Sequence, residues 1–235
     1  MSEQPDISII MAIRNSEHYL AEALASIAAQ NYPAIELIAV DGGSRDGGPS
    51  MVQNFPNARC IPQRGTGFTG AWNTGVQATR APFIAFLDSD DIWAPEKLAG
   101  QMAVLRANPF ADAVYGRVAF FLERGHALPS GFRPAVLEGT HLVPMPGVTL
   151  LRRGIVERLG SFDEKLSIAS DIAWFAKLRD RATLAVFDQL VLRKRLHNSN
   201  LGHITPWPIF RGELLTLLKA RVDGHRRAAA GANDA

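Results

Sequence analysis

One cysteine, Cys60, stands among 235 residues, so no internal disulfide framework is available to this chain. It lies in an apolar stretch and reads as a buried small hydrophobe. No apolar run approaches the length of a bilayer-crossing helix; the first, Ile7 to Ile13, is far too short. The opening residues, Met1 to Asp6, are polar and lack the basic-then-apolar pattern of an export signal. Neither sign of charge dominates. A formal net charge of +2 argues against a nucleic-acid binder. His18, His126, His141, His203 and His225 show no paired spacing of the kind zinc sites use. These absences lead to the expectation of a cytoplasmic protein. A composition 47% hydrophobic and 20% charged is that of an ordinary globular protein with a sizeable core.

The first half alternates buried-strand and helical patterns. Ile7–Ile13 reads as a strand ended by Arg14-Asn15-Ser16. Leu20, Ala23, Leu24, Ile27 and Ala28 then recur at helical spacing, with Asn15 or Ser16 placed to cap the helix. Ile35–Val40 is a second strand, stopping at Asp41-Gly42-Gly43-Ser44, and a shorter one follows near Ala58–Ile61. Phe83–Leu87 is a fourth, running straight into Asp88-Ser89-Asp90-Asp91. Pro95 reads as a first-turn proline for a helix over Lys97–Ala107. Strand, helix, strand with short connections is a βαβ unit, and such units build a parallel sheet. The second half is less regular. Ala113–Leu122 reads as a long or bent strand, and Leu128–Gly147, with four prolines and three glycines, as an extended loop. Ser170–Asp180 reads as a helix, with Ile172, Phe175, Ala176 and Arg179 on successive turns. Ala182–Leu196 is mostly strand, and Pro206–Val222 a C-terminal helix.

Ligands of open α/β sheets sit beyond the carboxyl ends of the strands. The Arg14-Asn15 turn, the Asp41 turn and the acidic cluster all fall there. Three carboxylates within four residues repel one another unless cations or hydrogen bonds compensate. Mg²⁺ or Mn²⁺ takes oxygen ligands, often one or two carboxylates together with phosphate oxygens. Asp88-Ser89-Asp90 after a buried strand suits that work. An isolated Asp-x-Asp would equally suit an acidic loop in which Asp90 or Asp91 caps the next helix.

Ile7 through Ser16, Tyr19 through Ile27 with the exit Gln30-Asn31-Tyr32-Pro33, and Ile35 through Gly47 follow one another in order. Gly65-Thr66-Gly67, Asn73-Thr74-Gly75 and Phe86 through Asp91 complete the series. This succession resembles family 2 glycosyltransferases, closely over residues 7 to 110 and weakly beyond. The resemblance implies a GT-A-type α/β fold, a mostly parallel central sheet flanked by helices. It implies an inverting, metal-dependent transferase with a nucleoside-diphosphate sugar donor, UDP-sugar favoured. Asp41 would then accept a hydrogen bond from the base, and Ala12 to Arg14 would line the base pocket. Asp88 would contact the ribose or the metal, Ser89 would lie against the donor, and Asp90 would be the principal ligand of Mn²⁺ or Mg²⁺. There are departures. Asp41-Gly42 stands where the family often has two acids. Ala71-Trp72-Asn73 stands where many members have Ala-Arg-Asn, which leaves a diphosphate-facing cation to be supplied by Arg64 or Arg80. Trp72 itself reads as core packing.

Inverting transfer needs a base for the acceptor hydroxyl. The resemblance puts Asp171 there, in Ser170-Asp171, where the family carries an acidic pair; a helix cap is the plainer role. Asp163 and Glu164 read as turn and solvated surface. His197 would complete the metal site or meet the diphosphate, and Arg193, Lys194 and Arg195 would neutralise phosphate or form a solvated edge. The expected organisation is a single domain over 1–222, with a donor half at 7–110 and an acceptor half at 111–205. The 206–222 helix follows, and 223–235 reads as a frayed tail. That helix could pack on the domain, pair with a second copy or lie on an anionic membrane. The acceptor, selected by the 128–147 loop and the Trp207 region, is open. A sugar nucleotidyltransferase and a non-catalytic nucleotide-sugar-binding protein are the alternatives. Against the first, Ile13-Arg14-Asn15-Ser16 does not look like a phosphate loop, nor does the Gly65-Thr66-Gly67 stretch.

Overall fold

The computed structural model describes residues 4–129, 132–166, 169–200 and 212. The expected 206–222 helix, the 223–235 tail and Trp207 lie outside the described residues. One eight-stranded sheet runs in the order β3-β2-β1-β4-β7-β6-β8-β5. Its strands are β1 (Ile7–Ile13), β2 (Ile35–Asp41), β3 (Ala58–Pro62), β4 (Phe83–Phe86), β5 (Ile92–Trp93), β6 (Ala113–Leu122), β7 (Thr149–Arg152) and β8 (Leu184–Leu196). β3, β2, β1 and β4 are mutually parallel, as are β6 and β8. β7 joins the two sets antiparallel, and β5 adds antiparallel to the outer edge of β8.

Among the described residues the sheet is covered by the helices α1 (Glu17–Ala28), α2 (Gly48–Gln53), α3 (Gly67–Ala78), α4 (Lys97–Ala107), α5 (Arg153–Leu159) and α6 (Ser170–Arg181). β1 shows why both faces are covered. Its side chains alternate, Ile7, Ile9, Met11 and Ile13 packing with α1, α2 and α4, and Ile10 packing with α3, α5 and α6. Among the described residues no helix is long and apolar enough to cross a membrane.

The expected strands and the α1 and α4 helices are present, with local differences. Neither Asn15 nor Ser16 caps α1 through its side chain. Both are engaged elsewhere: Asn15 Oδ1 accepts from Arg45 N–H at 2.9 Å, and Ser16 Oγ from Arg14 N–H at 3.0 Å. The first free N–H of α1, on Glu17, instead donates to Asp46 Oδ2 at 2.9 Å. Pro95 precedes Glu96, the N-cap of α4, and so lies outside its first turn. In α6 the buried face is Trp174, Phe175 and Leu178, whereas Ile172 is exposed. β6 is bent, with its register to β8 shifting around Arg117. The 128–147 loop is tied to β6 by a bridge between Val118 and His141. Cys60 is half-buried against the core rather than fully enclosed.

α3 is the element that periodicity alone does not reveal. It is built on Gly67, Gly70 and Gly75 with Thr, Asn and Trp, all weak helix formers. Packing explains the choice, since a Cβ on Gly75 would overlap the Ile10 side chain of β1. Ile10 is fully buried and stiff at χ1, so it cannot turn away. Gly75→Val should therefore destabilise the protein by roughly 1–3 kcal/mol, the usual cost of overpacking. Urea unfolding would check this, and an unchanged midpoint would contradict the close approach.

Candidate functional site

The C-terminal ends of β1, β2 and β4 open on one edge of the sheet. β4 ends at Phe86, Leu87 N–H still pairs with Ile10 at 3.1 Å, and the chain turns through Asp88-Ser89-Asp90-Asp91. One oxygen from each of Asp88, Asp90 and Asp91 lies within 4.8 Å of the others. The three have different surroundings. Asp91 is buried, accepting from Arg195 N–H at 2.9 Å through Oδ1 and from Lys194 Nζ at 2.8 Å through Oδ2. Burial pushes its carboxyl up to about 7 while Lys194 pulls the other way. Asp88, Ser89 and Asp90 are half-buried. Neither Asp90 nor Asp91 caps α4, whose N-cap is Glu96.

The end of β8 supplies the counter-charges. Lys194 Nζ also donates to Asp88 Oδ2 at 3.1 Å. The Arg195 guanidinium is buried, donates from Nε to the Asp90 carbonyl at 3.0 Å, and pairs with Glu22 of α1 and Glu123 beyond β6. It lies over the rings of Tyr19 and Phe121, each at 4.8 Å. Arg193 points elsewhere, over Phe121 at 4.9 Å. His197 is buried, with Nε2 2.9 Å from Asp90 Oδ2 and Nδ1 2.7 Å from Ser199 Oγ. Asn200 Nδ2 donates to the same Asp90 oxygen at 3.1 Å. Burial alone would raise the Asp90 carboxyl; the hydrogen bond to His197 and the Lys194 charge outweigh it and hold the carboxyl low. Asp90 and His197, separated by 107 positions in sequence, are thus brought into contact. The oxygen-rich set with one imidazole fits a hard divalent cation.

The exits of β1 and β2 are laced together at the other end of the edge. Asn15 N–H donates to Ser44 Oγ at 3.1 Å, and Ser44 N–H to Asp41 Oδ1 at 2.9 Å. Ala12 is half-buried beneath this turn, and Arg14 is exposed beside Gly42. Arg64 is exposed and its backbone is held by Thr74, so its side chain is open to solvent. Arg80 is excluded as a diphosphate cation, because it precedes β4 at the opposite edge of the sheet. Trp72 is 2% exposed among Phe68, Phe86 and Phe162, a core residue.

Asp171 stands in the first turn of α6, beyond the N-cap Ala169, and its Oδ1 accepts from the Ile172 N–H of that turn at 2.7 Å. Burial pushes its carboxyl up to about 6, against a hydrogen bond from Ile172 N–H, and the Asp88 charge adds to the rise. Asp88 and Lys194 therefore lie close enough to act on Asp171 electrostatically. The Ser170 hydroxyl beside it is buried and has no hydrogen-bond partner. Glu164 is not mere solvated surface. It accepts from Thr66 N–H at 2.9 Å and Asn73 Nδ2 at 3.0 Å, while Asn73 also exchanges hydrogen bonds with the Phe162 backbone. This clip joins the segment before α6 to the N-cap and second turn of α3. Asp163 accepts from Lys165 N–H, a turn role as expected.

Lys194, Arg195, Glu123, Tyr19 and Asn200 carry no local motif, and only the sheet brings them to the acidic turn. Because Asp91 is buried, Lys194→Ala leaves an uncompensated carboxylate there. A loss of roughly 3–5 kcal/mol is expected, shrinking at acid pH where Asp91 can protonate instead. Denaturant titrations at pH 5 and pH 8 would check it. Equal losses at both would contradict the charge argument.

The glycosyl transferase family 2 model matches residues 8–162. An uncharacterised glycosyltransferase of Rickettsia typhi is 28% identical over 209 residues, 83% of this chain and 65% of that protein. The Escherichia coli enzyme UDP-Glc:alpha-D-GlcNAc-diphosphoundecaprenol beta-1,3-glucosyltransferase WfgD is 36% identical over 105 residues, 43% of this chain and 42% of its own. The chain thus spans less than two thirds of the length of these curated relatives. Among solved structures, S. aureus TarS 1–349 in complex with UDP-GlcNAc matches with a TM-score of 0.68 at 21% identity, over 86% of this chain and 61% of that one. Mannosyltransferase PcManGT from Pyrobaculum calidifontis, in complex with GDP-Man and Mn²⁺, matches at 0.60 and 20% identity, over 86% and 59%. At those identities the structures speak to the fold, which is the GT-A α/β fold expected from the sequence. With the family model covering well over half of its residues, the chain belongs to the family 2 glycosyltransferases.

Proposed function

We propose that the protein is an inverting, metal-dependent glycosyltransferase that moves a sugar from a nucleoside-diphosphate donor, UDP-sugar favoured, to an acceptor hydroxyl. The observation that carries this reading is the division of labour among carboxylates on one sheet edge. Asp90, held ionised beside His197, suits cation binding, whereas Asp171, raised towards neutrality, suits proton transfer.

In this reading Asp41, Ala12 and Arg14 hold the base, and exposed Arg64 reaches towards the phosphates. Asp88 and Ser89 lie against the donor, and Asp90, Asp88 and His197 hold Mn²⁺ or Mg²⁺. A cation there would neutralise charge on the departing diphosphate. To offer its Nε2 lone pair to a cation, His197 would give up the hydrogen bond it donates to Asp90 and carry its proton on Nδ1, facing Ser199 Oγ 2.7 Å away. Asp171 takes the proton from the acceptor hydroxyl as its oxygen attacks the anomeric carbon. Lys194 neutralises Asp88 and Asp91 and keeps the acidic turn compact before the donor arrives.

The acceptor is bounded by α6 and the 128–147 loop, where Phe132, Leu142 and Val143 expose apolar surface. The E. coli relative is named for a lipid-linked saccharide acceptor, which supports including diphosphoprenol-linked sugars in an acceptor panel.

Calorimetric titration of UDP and UDP-GlcNAc, with and without Mn²⁺, tests the donor side. Asp90→Ala is expected to abolish the metal-dependent part of binding, and wild-type binding to no nucleotide sugar under any condition would end this reading. Asp171→Asn should keep donor binding and lose transfer. Loss of both together would remove Asp171 from the role of base. With a carboxyl near 6, kcat/KM should fall as pH drops below about 6, where Asp171 takes up a proton. The folded-state value lies above the ordinary 3.8, so ionising Asp171 costs stability as pH rises from about 4 to 6. Asp171→Asn should accordingly be at least as stable as wild type at pH 7, by thermal melting.

A further inference from the structure

Lys97, the first residue of α4, is fully buried, and the proposed reaction makes no use of it. Its Nζ donates to Gln101 Oε1 at 2.7 Å and lies 4.5 Å from the centre of the Trp93 ring. Both of those side chains hold the turn Pro146–Val148 that leads into β7. Trp93 Nε1 donates to the Gly147 carbonyl at 2.9 Å, and Gln101 Nε2 to the Val148 carbonyl at 2.8 Å. Among the described residues no charged group acts on the amine. Glu96 is held by Asn31, Arg117 by Asp188 and Asp91 by Lys194, while Arg195 faces the acidic turn. Arg193 lies over Phe121, and Arg152 of β7 donates to the Ala111 and Leu105 carbonyls. An ammonium carries three N–H donors, and this enclosure offers one oxygen and one ring face. An unpaired buried ion is costly, so the enclosure favours the uncharged amine. Burial by itself pushes the Lys97 amine down to about 7.

We propose that Lys97 is a proton-controlled latch: uncharged, it seals the junction of β5, α4 and the Pro146–Val148 turn, and protonated, it draws water in and loosens that turn. The neutral amine keeps one N–H on Gln101 and leaves the Gln101 NH₂ group on Val148. A proton adds a donor and a charge that the enclosure cannot satisfy, and opening to solvent relieves both. The β5–α4 side of the junction is anchored to α1. Trp93 N–H donates to Ser26 Oγ, and Gln30 bridges the Ala94 carbonyl and the Leu98 N–H. The turn is tied to that side by the Trp93 and Gln101 side chains, so the turn is the part that yields. Trp93 follows the acidic turn closely in sequence, and the Pro146–Val148 turn lies at the end of the 128–147 loop. The latch thereby sets how firmly that loop is anchored, from outside the donor edge, and it does not depend on which donor the protein takes.

The test is hydrogen exchange of the full chain at pH 6 and pH 8, corrected for intrinsic exchange rates, in wild type and in the near-isosteric Lys97→Met. In wild type the amides of Gly147 to Thr149 should open about tenfold more readily at pH 6 than at pH 8. That factor is the linkage of a group at about 7 when enclosed and at its ordinary 10.5 when open. The open form binds the extra proton, so acid favours it. Lys97→Met binds none and should be protected alike at both pH values. If Lys97 only filled space, wild type and variant would share one profile, and that result overturns the proposal. A wild-type response confined to other segments overturns it equally. Should Lys97→Met not fold, an NMR titration of the Lys97 Cε resonance in wild type decides the matter. A midpoint below about 8 supports the latch, and one above it, towards the ordinary lysine value, overturns it.

Discussion

Lys194 lies between Asp88 and Asp91, and much of the active edge depends on that placement. Three carboxylates at the end of β4 cannot remain close together without positive charge among them. A cation would supply it in a loaded site; in the protein alone the charge comes from β8, 103 to 106 positions away. Asp91 is the buried partner of this arrangement, and the Arg195 backbone and Lys194 ammonium satisfy it together. With Asp91 directed inward, Asp88 and Asp90 are left at the surface of the cleft. The pair thereby sets both the shape of the turn and the direction its useful oxygens face.

β8 acts through several consecutive residues. Arg195 ties the Asp90 carbonyl to α1 and to the end of β6, and His197 meets the Asp90 carboxylate itself. The ladder between β6 and β8 is what delivers them in register. A second link between the halves, the Glu164–Asn73 clip, joins the segment before α6 to the N-cap and second turn of α3. The two halves therefore meet on both sides of the cleft, through charge on one side and amide hydrogen bonds on the other.

Local pattern made some of this legible. The β-branched runs of β1 and β2, the helical spacing of α1 and α4, and the Asp-x-Asp at a strand end are all short-range features that any reader of the chain meets in order. Asp90 and His197 were linked from the sequence only through the family resemblance, which implies a shared metal site; no local pattern brings them together. Glu164 looked like a solvated turn because its partners, Thr66 and Asn73, lie more than ninety positions earlier. α3 was hidden because close packing on Ile10 demands glycine, and glycine lowers the helix signal. Asn15 and Ser16 had the chemistry of caps, but Asn15 is engaged by Arg45 beyond β2 and Ser16 by Arg14 of its own turn, and Asp46 meets the start of α1 instead.

The sequence by itself determined the family, the alternation that covers both faces of the sheet, and the strand ends at which polar residues gather. Those follow from the period of side chains along a strand or helix, a property of adjacent residues. Only the tertiary structure decided which acids face inward and which face the cleft. It also decided that Asp171 lies within electrostatic reach of Asp88, and that the Lys97 amine is enclosed beside Trp93 and Gln101. The reason is that charge and hydrogen bonding act through space over a few ångströms. The chain that brings those groups together is a hundred residues long, and its path is set by the sheet.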